Sequence, residues 1–118
     1  MNEQFVKRVY SSIVEGNMQL YSKIFNNPTT DETIKYWRLA KELYRDLNNQ
    51  QQEILYMILR QVIIDTLSTI FGTFDGICGI DDEDWQFTLT INGESTEDDL
   101  QNAFLVYIRK LIESGELI

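Results

Sequence analysis

Histidine is absent from this chain, and cysteine and proline occur once each, as Cys78 and Pro28. Without imidazole there is no His-based general acid or base, no His-activated nucleophile and no Cys/His zinc site, and a single thiol closes no internal disulfide. Long apolar runs are also missing: the longest, Ile54 to Leu59, has six residues against about 20 for a bilayer span, so no membrane segment is expected. The start, Met1-Asn2-Glu3-Gln4, carries an acid where a signal peptide carries a basic cluster. With the lone thiol, this makes the cytoplasm the expected location.

What is present suits one globular domain over residues 1–118. Of the residues, 43% are hydrophobic and 25% charged, ordinary proportions for such a domain. Area scaling for 13.9 kDa gives about 6,700 Å² folded against about 20,000 Å² unfolded, enough burial for a core without staples.

The net charge of -9 is unevenly placed. Residues 1–59 hold seven basic and seven acidic side chains, whereas residues 75–99 hold nine acids and no base. That segment repels nucleic-acid phosphates and anionic lipid and attracts basic proteins or divalent cations.

Apolar residues at helical spacing from Val6 to Ile24 predict a first amphipathic helix over 3–25, with Gly16 and Asn17 as a place to bend. Pro28 stops it, and Thr30, followed by Asp31 and Glu32, is placed to cap a second helix. Its inward side would be Tyr36, Trp37, Leu39, Ala40, Leu43, Tyr44 and Leu47. Residues 48–52 read as a polar link. A third helix over 53–71 is apolar almost all round, which predicts a central, buried position with Ile54, Ile58, Val62 and Ile63 on its main inward side. On that reading Asp65 sits at the edge of the buried side and should bond the glycine-containing loop over residues 72–79.

Trp85-Gln86-Phe87-Thr88-Leu89-Thr90-Ile91 alternates strictly, as a half-buried strand does. It needs a partner; residues 72–78 are the nearest candidate, and a second chain at the strand edge, hence a homodimer, is the alternative. Asn92-Gly93 is a turn signal, and Thr96 with Asp99 resembles a capping box ahead of a last helix whose inward side is Leu100, Phe104, Tyr107, Ile108 and Leu111. The fold class expected is mainly α (α+β): four helices with a small two-stranded β element between the third and fourth.

Chemical motifs are few. Gly72, Gly76 and Gly79 are spaced like a phosphate cradle, but no Lys-Ser or Lys-Thr follows and four acids do; they read instead as supplying positive φ in a connection. Asp75 with Asp81, Asp82, Glu83 and Asp84 could gather oxygen ligands for calcium or magnesium, although the EF-hand register fails because its first and third positions would be Phe71 and Thr73. No bound cofactor is implied. The basic face of Lys35, Arg38, Lys41 and Arg45 beside Tyr36, Trp37 and Tyr44 is interrupted by Glu42 and Asp46, which argues against nucleic acid. No nucleophile and base pair can be assembled, so an enzyme is not expected.

Residues 60–112 resemble small acidic bacterial proteins of immunity-protein type in the Asp65 helix, Asp75-Gly76, Phe87-Thr88-Leu89 and the start Asp99-Leu100-Gln101 with Phe104. The resemblance implies a non-enzymatic inhibitor that covers a toxin of opposite charge, and it transfers no functional residue. The expected function is therefore protein–protein interaction with a basic partner. Asp81, Asp82, Glu83, Asp84, Glu97 and Asp98 would form the binding patch, and Asp65 and Asp75 would act as structural polar groups.

Overall fold

In the computed structural model, residues 1–28, 34–81, 83 and 85–117 are described. Helix α1 (Asn2–Val9) runs through a π-helical segment (Tyr10–Glu15) into α2 (Gly16–Phe25) without leaving the right-handed helical region, since Tyr10 has φ -58° and Gly16 has φ -60°. The three form one rod. The bend expected at Gly16 and Asn17 appears as this π segment, and the Asn17 amide donates to the carbonyl of Ile13 at 2.7 Å across its far end.

Helices α3 (Lys35–Asp46), α4 (Asn49–Phe74) and α5 (Leu100–Glu113) follow, with β1 (Thr90–Ile91) and β2 (Glu94–Ser95) between α4 and α5. Counting the first rod as one helix, these are the expected four helices and two-stranded element. The proposed cap of the second helix, Thr30 with Asp31 and Glu32, lies outside the described residues. Residues 49–52 are helical rather than a link. Asn48 Oδ1 accepts from the Gln51 amide at 2.8 Å, and Gln51 Oε1 accepts from the Asn48 amide at 3.0 Å, so a full capping box opens α4.

The core joins Val6, Val9, Tyr10 and Val14 of the rod to Ile64 and Phe71 of α4 and to Leu100, Phe104, Ile108 and Leu111 of α5. Phe104 is wholly buried and meets Phe71 edge to face at 5.5 Å between ring centres. A separate aromatic group holds the other end, where Phe25 stacks on Tyr44 at 4.8 Å and Tyr44 accepts from the Tyr56 hydroxyl at 3.2 Å.

Three expectations are corrected. First, α4 is not the buried centre of the molecule. Its inward side carries Ile64 and Phe71, while Ile58 and Val62 are 54% and 56% exposed. A helix apolar all round does not say which side faces in, and the wrong side had been taken as inward. By length and composition α4 is also apolar enough to cross a membrane; the run-length criterion passes over it because Arg60, Gln61 and Asp65 interrupt the run.

Second, the alternating segment pairs neither with residues 72–78 nor along its whole length. Only Thr90 and Ile91 are strand, facing Ser95 and Glu94 across Asn92-Gly93, whose positive φ values of 52° and 85° are those of a tight type I′ hairpin. Leu89 and Ile91 pack on the core, but Trp85 is 60% exposed, so the expected apolar cover is half formed. Residues 72–78 instead finish α4: Gly76, at φ 78°, lets Ile77 donate to Gly72 and Gly76 to Thr73, a Schellman ending. Third, Thr96 does not cap α5. Its hydroxyl and amide both donate to the carbonyl of Leu89, closing the hairpin.

Candidate interaction surfaces

The start of α5 is set by two side chains from opposite directions. Asp75 follows the last turn of α4, is 8% exposed, and accepts from the Gln101 amide at 2.7 Å through Oδ2, supplying the cap that Thr96 does not. Gln101 in turn donates to the carbonyl of Ser68 at 2.9 Å. It passes over Gly72, where an added Cβ would lie 2.5 Å from Gln101 Nε2 and 2.7 Å from Cys78 Sγ. Gly72 is therefore a close-approach glycine, not the positive-φ residue expected of it. Asp75 keeps its expected structural role.

Asp65 does not. It is exposed and accepts from Gln61 Nε2 at 2.8 Å on its own helix, with no bond to residues 72–79. The cause is the reversed face of α4. At 100° per residue Asp65 lies beside Ile58 and Val62, so when that row turns outward Asp65 goes with it.

The acidic segment decorates this end of the molecule. Asp81, Glu83, Glu97 and Asp98 are all exposed, and none makes an ion pair among the described residues. Asp81, Glu97 and Asp98 hold left-handed backbone at φ 54°, 54° and 53°; the Glu97 amide donates to Ser95 Oγ at 3.0 Å. Two successive non-glycine residues in that region are strained, and they turn the chain sharply between the hairpin and α5. Asp82 and Asp84 lie outside the described residues.

Glu97 also lines an open cleft of about 630 Å³ between the start of α1, β2 and α5, with Glu3, Lys7, Glu94, Asp99 and Lys110 on its walls. Carboxylates and ammonium groups alternate around it, and Asn2 donates to the Thr96 carbonyl at 2.9 Å along one side. Among the described residues no group of three or more carboxylate or thiol side chains is arranged to hold a metal ion.

Two features of the other end were not foreseen. A polar bridge crosses from the π segment to α4, where Arg60 Nε approaches Glu15 Oε1 at 3.5 Å. Burial, and next the Glu15 carboxylate, push the Tyr10 hydroxyl up to about 12 from an ordinary 10.0. Burial, and next its hydrogen-bonded neighbour Tyr56, raise Tyr44 as well. The second feature is apolar. Tyr36, Leu39 and Leu43 on α3 and Ile54, Ile58 and Val62 on α4 are exposed in rows along their helices. The α3 residues had been assigned inward, but Tyr44 and Lys41 take that side and turn the row out. Comparison with protein-family models, curated proteins and solved structures finds no match for this chain.

Proposed function

We propose that this chain is a non-enzymatic protein-binding module that presents its acidic end to a basic partner, an immunity-type inhibitor of a basic toxin being the specific form of that reading. The observation that supports it is the set Asp81, Glu83, Glu97 and Asp98: exposed carboxylates without a basic partner among the described residues, in a segment with nine acids and no base. An uncompensated field of one sign speeds encounter with the opposite sign by about 10-fold to 1,000-fold, while buried contacts supply most of the lasting affinity. The strained turn at Glu97 and Asp98 and the cap from Asp75 to Gln101 hold part of that charge on a fixed framework.

The test compares the chain with a variant carrying Asp81→Asn, Glu83→Gln, Glu97→Gln and Asp98→Asn, each bound to a surface and exposed to a lysate of the source organism. Asparagine tolerates left-handed backbone, so two of the changes leave the local fold unstrained. The expected result is a strongly basic protein captured by the wild type, its association slowed about 10-fold or more by the substitutions and by added salt. Equal capture by both proteins rejects the acidic end as the binding site.

A further inference from the structure

The acidic end accounts for one surface, and the opposite end raises a separate question of area. A chain of 13.9 kDa folds to about 6,700 Å² of accessible surface, whereas this one exposes 8418 Å². Its radius of gyration is 17.4 Å against about 13.5 Å for a compact domain of this length. The surplus of about 1,700 Å² goes with an unusual distribution of apolar residues rather than with a polar extension. Ile54, Ile58 and Val62 form a straight i, i+4, i+8 row on the outward side of α4, and α3, joined to α4 through Leu47 and Asn48, exposes Tyr36, Leu39 and Leu43.

We propose that the outward face of the N-terminal half of α4, centred on Ile58, is the interface for a second copy of this chain. Area is the first argument. A stable interface needs about 800 Å² from each partner, and the surplus here is about twice that, so the pair would fall among obligate homodimers. Charge is the second. Residues 34–74 carry five basic and four acidic side chains, so two copies meet there without the repulsion that the segment 75–99 would impose. Geometry is the third. Rows spaced four residues apart pack into one another at about -50°, and in a two-fold pair that places the two Ile58 side chains near the axis.

A lipid surface suits the face less well. Gln61 and Asp65 run alongside the apolar row, and Arg60 is engaged with Glu15 of the rod. The inference stands apart from the acidic-end reading, since the surfaces differ and either can fail alone.

Sedimentation equilibrium tests the proposal on the full chain at concentrations up to roughly 100 µM, well above the micromolar constants of weak interfaces this size. The wild type is expected at twice 13.9 kDa and Ile58→Glu at the monomer mass with unchanged helical circular dichroism, the dissociation constant rising at least roughly 100-fold. In a Cys78→Ser background, Ile58→Cys should cross-link two copies on oxidation, whereas Ile70→Cys, three turns further along α4 and exposed, should not. The proposal is overturned by a monomeric wild type, by an Ile58→Glu variant that stays dimeric or by failure of Ile58→Cys to cross-link. Binding of the wild type to phosphatidylcholine vesicles in place of self-association overturns it too.

Discussion

The two ends of α4 are built differently. Its C-terminal half is pressed between the rod and α5: Ile64 and Phe71 are buried, Gly72 allows the Gln101 side chain to pass, and the last turn ends in a Schellman motif. Its N-terminal half touches α2 and α3 mainly through rings, Phe25, Tyr44 and Tyr56, and leaves a full apolar row outside. One helix of nearly uniform hydrophobicity is thus core at one end and surface at the other. Composition does not distinguish the halves; the presence or absence of a facing helix does.

The strongest test of that contrast is a pair of truncations. Phe104→Ala, deep between α4 and α5, should lower unfolding free energy by about 3–5 kcal/mol, the transfer and cavity terms adding where nothing can collapse inward. Ile58→Ala, measured dilute enough to be monomeric, should change it by no more than about 0.5 kcal/mol because the side chain is half in water already. Urea denaturation of both variants decides it. Equal losses would mean that the two halves of α4 are equally buried in the monomer.

The junction between α4 and α5 should be the next most sensitive. Gly72→Ala forces a methyl group against Gln101 and Cys78, and overpacking of this kind costs about 1–3 kcal/mol. Asp75→Ala removes the acceptor of the Gln101 amide, leaving a donor of α5 unsatisfied at a cost of about 1–3 kcal/mol. Both should lower the thermal midpoint. An Asp75→Ala variant that melts with the wild type would remove the cap from the account of how α5 begins.

Asp65→Ala belongs lower on the scale. Its only side-chain partner among the described residues is Gln61 on the same exposed helix face, and such a pair contributes about 0.2–0.5 kcal/mol. A thermal midpoint more than a few degrees below that of the wild type would show that Asp65 has a tertiary role after all.

Periodicity made the legible parts legible. The α5 face from Leu100 to Leu111, the number of helices and the place of the β element were readable because a single apolar stripe, or a single alternation, has one inward side. The third helix offered two apolar sides and no local signal to choose between them, which misplaced Asp65 and Ile58 together. The strand was overextended because alternation reports a half-buried surface and not the partner: Asn92-Gly93 already marked the hairpin, yet only two residues on each side pair. The capping box at Asn48 and Gln51 was readable in the sequence, and the polar composition around it hid the signal. Of the candidate patch, exposure followed from charge. The left-handed backbone at Asp81, Glu97 and Asp98 did not, since acids show no such preference strong enough to foresee it.

The smallest effect belongs to the π segment that joins the two ends of the rod. Tyr10 is held against Tyr107, with Glu15 and Arg60 the charged groups beside it, and its hydroxyl is raised to about 12. Because the folded value lies above the unfolded one, near 10, the stability tied to this group is complete below about pH 10 and is lost as pH rises through about 12. Tyr10→Phe keeps the ring against Tyr107 and removes the ionisation, so at pH 7 its thermal midpoint should stay within a few degrees of the wild type. Between pH 10 and pH 12 the wild type should lose stability faster than the variant, the two curves converging or crossing as the phenolate forms. Thermal melts of both proteins across that window measure the difference directly. Parallel curves would show that Tyr10 ionises as freely in the folded chain as in the unfolded one, and that the contact with Glu15 and Arg60 does not hold its proton.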